Sequence, residues 1–267
     1  MPLTKSANLE IVDYLLSAER EGYEVTKVTE RYPDLTIDDA YSLQKQLIER
    51  KVQDGVKRVG VKRVGVKLGL TSKAKQEMMG VHEAIYGYLT SDMLGLEWEP
   101  IVFNQLIHPK AEPEIAFLMG EDLCGTNLTE EDVLKAVKYV APALEIIDSR
   151  YLDFKFTLPD VVADNCSSSR FIVGSNWIKP DQVNLANIGM VMSKNGEVAT
   201  VGAGAAVLGH PAKAVAWAVN KLGEHKEGLK KGDIVLTGAV SEAISFRSGD
   251  SIHAQFADLG SVSFSCS

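Results

Sequence analysis

Long hydrophobic runs are missing from this sequence. No window approaches eighteen consecutive apolar residues, and the stretch from Met1 to Glu21 has no basic flank leading into an apolar segment. Neither a membrane span nor a secretory leader is expected, and the reading is a cytoplasmic protein. Cysteine is scarce: Cys124, Cys166 and Cys266 are odd in number, far apart and without a CxxC spacing, which excludes a disulfide framework and a zinc ribbon. Basic charge is in deficit, with 28 Lys and Arg against 36 Asp and Glu; the net charge of −8 repels polyanions, so nucleic acid is not an expected partner. The one basic run, Lys57 to Lys67, is interleaved with Val and Gly and reads as strand-like rather than as a phosphate-tracking tail. What remains is globular material, 267 residues of which 45% are hydrophobic, enough to bury a large core without crosslinks.

The first fifty-five residues carry helical periodicity. Leu9, Ile11, Val12, Leu15 and Leu16 share one broad face, and Ala40, Leu43 and Leu47 recur at helical spacing behind a Thr36/Asp39 capping box, with Gly55 as the expected end. From Gly55 the five-residue unit GVKRV is stated twice and begun a third time, and its odd period makes Lys57, Lys62 and Lys67 alternate faces in a continuous strand. A short helix is expected from Ser72 to Met79, stopped by Gly80. Another follows the Thr129–Asp132 cap and carries Val133, Ala136, Val137 and Val140, and a third opens at Pro211 and runs to Gly223. Strand-like runs lie at 114–118, 143–147, 171–173, 188–193, 198–201, 234–237, 251–256 and 261–265, the last two forming a hairpin around Ala257 to Gly260. Strands that do not alternate strictly with helices argue for an α+β fold with a mixed sheet rather than a doubly wound one. The glycines of 202–209 lack the GxGxxG spacing and the following acid of a dinucleotide site.

The chemistry concentrates in His108-Pro-Lys-Ala-Glu112-Pro113-Glu114. Alternate residues of an extended chain face the same way, so Glu112 and Glu114 stand side by side, and Pro113 between them points to an edge or a bulge. Glu145 is flanked by Leu144, Ile146 and Ile147, and a buried anion needs a cation or a metal. Three carboxylates on strands suit a hard divalent ion. The same pattern is equally met by solvated edge residues with Glu145 paired to Arg150.

Six segments carry a resemblance: VKLGLTSKAK (66–75), MGVHEAIYGYL (79–89), LIHPKAEPEIAF (106–117), LEIIDSRYLDFKF (144–156), VVADNCSSSRFIVG (161–174) and NGEVATVGAGAAVLGHP (195–211). Together they resemble the 2-oxopent-4-enoate hydratase and 4-oxalocrotonate decarboxylase family of the fumarylacetoacetate hydrolase superfamily, over about three quarters of the chain. The resemblance implies a helical N-terminal region (1–66) followed by a largely β, mixed-sheet catalytic domain (67–267). It also implies Mg²⁺ or Mn²⁺ on Glu112, Glu114 and Glu145, and a place in catechol meta-cleavage degradation. Hydratases of the family typically carry Pro-Asp-Phe-Gly where this chain has Ala84-Ile85-Tyr86-Gly87, and 149–156 and 167–171 again look like the decarboxylases. The implied activity is therefore a carboxy-lyase reaction, metal-dependent loss of CO₂ from the dicarboxylate 4-oxalocrotonate (2-oxo-3-hexenedioate) to give 2-oxopent-4-enoate. A hydratase, or a non-catalytic partner of the hydratase, is the alternative.

On that basis Lys67, just before the Gly-Leu-Thr-Ser turn, is the expected catalytic cation. Thr71, Ser72, Ser167 and Ser168 are candidates for binding a substrate carboxylate, with capping and turn bonds as the plainer role, and Arg170 is a candidate for the second carboxylate. Asp148 and Arg150 are expected to pair, and His108 and His210, beside prolines, to be structural. The family also implies a homo-oligomer and a complex with the hydratase.

Overall fold

The computed structural model describes residues 3–56 and 60–267. Lys57 and the end of the first GVKRV copy lie outside the described residues. In chain order the elements are α1 (Lys5–Glu21), α2 (Val28–Arg31), α3 (Ile37–Val56), β1 (Arg63–Gly69), α4 (Lys73–Met79), β2 (Ile85–Thr90), β3 (Leu94–Gly95), β4 (Lys110–Met119), β5 (Leu123–Cys124), α5 (Glu130–Ala136) and β6 (Val137–Ile147). They continue with α6 (Leu158–Ala163), β7 (Ser168–Val173), β8 (Gly189–Lys194), β9 (Glu197–Ala203), α7 (Pro211–Glu224), β10 (Gly228–Leu229), β11 (Ile234–Leu236), β12 (Ile244–Ser245), β13 (Ser251–Phe256) and β14 (Gly260–Ser265). This is an α+β fold in which a helical N-terminal region precedes a mixed sheet.

Local signals explain most helix ends. Ser72 accepts a bond from Lys75 N–H at the start of α4, and Gly80 closes that helix in the left-handed conformation at φ 64°. Thr36 and Asp39 exchange capping bonds before α3, which runs one residue past Gly55. Thr129 and Asp132 do the same before α5. That helix is shorter than its periodicity predicts: it stops at Ala136, and Val137 and Val140 belong to β6, whose pairing with β4 overrides the helical reading. On α1, Ile11, Val12, Leu15 and Leu16 are buried, while Leu9 falls at the rim of the face and stays exposed.

Eight strands form the main sheet, in the order β2-β1-β11-β4-β6-β7-β3 with β12 also on β4; β1–β11 and β3–β7 are parallel and the other pairs antiparallel. The sheet curls on itself. Leu89 of β2 and Phe171 of β7, far apart in strand order, meet in one small cluster with Met93, Ala116, Ala143 and Leu236 on the concave face. The convex face joins a larger core that takes in α1, α3 and α7 and one side of the four-stranded sheet β14-β13-β8-β9. The hairpin β13–β14 turns where the sequence places it.

Pro113 sits in a central strand, not at the edge of the sheet. Opposite β6, however, β4 is partnered only by β12 at Lys110–Ala111 and by β11 at Ala116–Leu118. Pro113 falls in the gap, its carbonyl accepting from Val240 N–H at 3.0 Å, so its missing N–H breaks no ladder bond. The three cysteines are unpaired, and no helix among the described residues is long and apolar enough to cross a membrane.

Close strand contact leaves one glycine no alternative. A Cβ on Gly65 would lie 1.8 Å from the carbonyl oxygen of Ile234 on the parallel neighbour β11. Gly65→Ala is expected to destabilise the protein by about 3 kcal/mol through forced separation of β1 and β11. Urea unfolding measures this, and an unchanged midpoint would contradict the packing.

Candidate active site

Register alone brings the acids and the lysine to one face. Directly opposed residues share a face, as do alternate residues of one strand. Glu112 opposes Glu145, which opposes Phe171; Glu114 opposes Ala143; Lys67 opposes Leu236, which opposes Ala116. Lys67, Glu112, Glu114 and Glu145 therefore stand on the concave face, around the small cluster that contains Ala116, Ala143, Phe171 and Leu236.

Oxygens of Glu112, Glu114 and Glu145 come within 4.8 Å of one another, and all three residues are buried. Two cations answer them. Lys67 Nζ is 3.0 Å from Glu145 Oε2 and donates to the Cys166 carbonyl at 3.2 Å; Lys75 Nζ donates to Glu112 Oε1 at 2.9 Å. Glu114 Oε2 accepts from Gly238 N–H at 2.6 Å, whereas Glu114 Oε1 and both Glu145 oxygens are buried and accept no hydrogen bond.

Three carboxylates against two ammonium groups leave one negative charge uncompensated in a dry site, and the proton affinities reflect it. Burial, reinforced by Glu145 and Glu112, pushes Glu114 well above the carboxylate range, with Lys67 and the Gly238 amide countering only in part. Burial also raises Glu145 despite Lys67. Glu112 goes the other way, since Lys75 and then Lys67 outweigh its desolvation. Desolvation pulls the Lys67 ammonium down, but Glu145, with Glu112 and Glu114 behind it, holds it above the ordinary lysine range. An all-oxygen donor set with an unmet negative charge and orphaned buried oxygens fits a hard divalent ion.

A cavity of about 400 Å³ opens beside this group, with Lys67, Thr71, Lys75, Glu112, Lys155 and Ser167 as its polar lining. Its apolar walls include Ile85, Ile147, Phe154, Phe156 and Val161. The Ser167 and Ser168 hydroxyls are buried without a partner; Ser167 lines the cavity, and Ser168, opposite Ile147, shares the face of Glu145. Ser72 is engaged in capping α4.

Arg170 is not brought to this site. It opposes Ile146 on the convex face and lines a separate polar cleft with Glu19, Lys51 and Asp148. A bulge between Ile146 and Ile147 puts three residues, Ser168 to Arg170, opposite two, so Ser168 and Arg170 face opposite ways. Arg150 pairs with Asp164, Nε to Oδ1 at 2.5 Å, and not with the Asp148 carboxylate, which accepts from the amides of Ile107 and His108. His108 Nδ1 lies 2.8 Å from Glu24 Oε1, and His210 caps α7 through Nδ1. Sequence reasoning missed Lys75, the Cys166 carbonyl and the Gly238 amide. Lys75 had a faint signal, three residues beyond the Ser72 cap and thus in the first turn of α4; the others are backbone groups with none.

A raised Glu114 must lose its proton to ligate an ion. Divalent-ion affinity is therefore expected to rise with pH as Glu114 gives up its proton, and binding to release protons over that range. Calorimetric titration with Mg²⁺ in buffers of different ionisation enthalpy measures this, and binding without proton release would contradict the charge balance.

Residues 66–265 match the family model of the fumarylacetoacetate (FAA) hydrolase C-terminal region. The chain is 42% identical over 261 residues to a 4-oxalocrotonate decarboxylase of Pseudomonas putida, covering 98% of this chain and 97% of that one. It is also 42% identical, over 215 residues, to a 2-hydroxypent-2,4-dienoate hydratase of Pseudomonas putida, covering 80% and 95%. Among solved structures, the 4-oxalocrotonate decarboxylase from Pseudomonas putida G7 complexed with magnesium and adipate superposes with a TM-score of 0.94 at 41% identity, covering 99% of both chains.

Proposed function

We propose, for a chain that belongs to the fumarylacetoacetate hydrolase family, that it is a Mg²⁺-dependent (or Mn²⁺-dependent) 4-oxalocrotonate decarboxylase, releasing CO₂ from 2-oxo-3-hexenedioate. The decarboxylase matches 98% of this chain and the hydratase 80% at the same 42% identity, which favours the decarboxylase, and the cavity adds to that. The observation that carries the reading is Ile85. It is 4% exposed and lines the cavity at the position where the family resemblance gives hydratases an aspartate, so an aliphatic group stands where a water-handling acid is needed.

Glu112, Glu114 and Glu145 are the residues that would hold the ion, with Glu114 giving up its proton. When bound there, the ion would supply Lewis-acid polarisation of the substrate's C2 oxygen, which favours the shift of the C5–C6 bond electrons through the C3–C4 double bond as CO₂ leaves. Lys67, kept charged by its acidic neighbours, faces the negative charge that develops there and stabilises it. Thr71 and Ser167 are polar groups for the near carboxylate. The apolar wall of Ile85, Ile147, Phe156 and Val161 favours neutral CO₂ over the departing carboxylate. We infer cytoplasmic work in aromatic catabolism, and association with a second chain, a homo-oligomer or the hydratase. Support for association comes from Val191, Val198 and Val201, all exposed along β8 and the edge strand β9.

Purified protein with Mg²⁺ is expected to release CO₂ from 2-oxo-3-hexenedioate faster than it converts 2-oxopent-4-enoate to 4-hydroxy-2-oxopentanoate. Glu114→Gln and Lys67→Met are each expected to reduce turnover by about 10²- to 10³-fold. Preferential hydration would favour the hydratase reading, and undiminished turnover in Glu114→Gln would reject the ligand set.

A further inference from the structure

Lys67 is aimed by a backbone carbonyl, and that carbonyl belongs to an unusual turn. Asn165, Cys166 and Ser167 have φ of 48°, 54° and 56°, three successive non-glycine residues in the left-handed region. Single residues visit this region, and a run of them persists only where the surroundings over-determine it.

The surroundings do so here. The Asn165 side chain clamps both backbone groups of Tyr88 on β2, with Oδ1 accepting from Tyr88 N–H at 2.8 Å and Nδ2 donating to the Tyr88 carbonyl at 2.9 Å. Next to Tyr88, Gly87 opposes Lys67 across the β1–β2 pair, and a Cβ on Gly87 would lie 2.7 Å from the Asn165 carbonyl oxygen. The bare glycine lets the turn lie directly over the strand beside Lys67. Beyond the clamp, Ser167 carbonyl accepts from Asp148 N–H at 2.8 Å, and Arg150 Nη1 donates to the Ser168 carbonyl at 3.1 Å.

An ammonium has three N–H groups. On Lys67 the Cys166 carbonyl takes one at 3.2 Å and Glu145 Oε2 lies 3.0 Å from the nitrogen, while Lys67 and Ser167 both line the cavity. We propose that Asn165 is the positioning residue for Lys67: by clamping the 165–167 turn onto Tyr88 it fixes the carbonyl on which the ammonium rests beside the cavity. The inference rests on the decarboxylase reading. Asn165 touches neither the carboxylate trio nor the cavity, so its effect passes through Lys67.

Asn165→Gly tests this, because glycine keeps the left-handed backbone without strain while removing the clamp. Turnover by the wild type is the control, and its failure would be that of the functional reading alone. With turnover established, kcat is expected to fall about ten- to a hundredfold, with KM and the calorimetric Mg²⁺ affinity held within about threefold. Introduced into Lys67→Met, the same substitution is expected to lower kcat by less than about twofold more, because the group it positions is gone. An unchanged kcat would overturn the proposal. So would a parallel loss of Mg²⁺ affinity and kcat, or a full additional loss in the Lys67→Met background, since each marks a merely structural role. Should circular dichroism show that Asn165→Gly does not fold, Asn165→Asp, which keeps the bond from Tyr88 N–H, is read by the same split and the same double variant.

Discussion

Three carboxylates buried within 4.8 Å of one another, facing only two ammonium groups, are the constraint around which this protein is organised. Buried like charges repel with little screening, and the raised proton affinity of Glu114 shows the strain, which an extra proton or an ion of higher charge relieves. The chemistry follows from that imbalance. A site whose carboxylate has a raised proton affinity binds a hard cation in competition with protons.

The curled sheet makes the cluster affordable. Its concave face carries the small apolar group of Leu89, Met93, Ala116, Ala143, Phe171 and Leu236 beside the acids. Strand pairing holds Glu112 against Glu145 and Lys67 beside both, so no long loop has to bring the charges together. The loops supply finer parts: Gly238 N–H to Glu114, the Cys166 carbonyl to Lys67, and α4 carrying Lys75 to Glu112. The N-terminal helices contribute from behind. Gln44 of α3 donates to the carbonyls of Tyr86 and Val162, tying β2 and α6 together under the turn that faces Lys67.

Much of this was legible in the residues before any coordinates. Capping boxes and glycine stops located α3, α4 and the start of α5, because those signals are local, while α2 and α6 went unread, α6 despite its Thr157/Asp160 capping box; Glu112 and Glu114 were placed on one face by the two-residue period of a strand. Glu145 stood out because a carboxylate among Leu144, Ile146 and Ile147 has to be explained. The failures share a different physics. Val137 and Val140 fit a helical period, and only pairing with β4, a long-range event, makes them strand. Arg170 appeared beside the serines because a bulge is silent in sequence, yet that bulge turns it to the convex face. Lys75 and Asn165 act across 37 and 77 positions, through contacts that no local pattern encodes.

The central claim is that the three glutamates jointly grip one divalent ion. Crystals soaked in Mn²⁺ and measured at the manganese edge test it most directly. The account predicts one strong anomalous peak bounded by carboxylate oxygens of Glu112, Glu114 and Glu145, with Lys67 still on Glu145. A peak that involves none of the three, or no peak at saturating ion while Lys75 remains on Glu112, would contradict it.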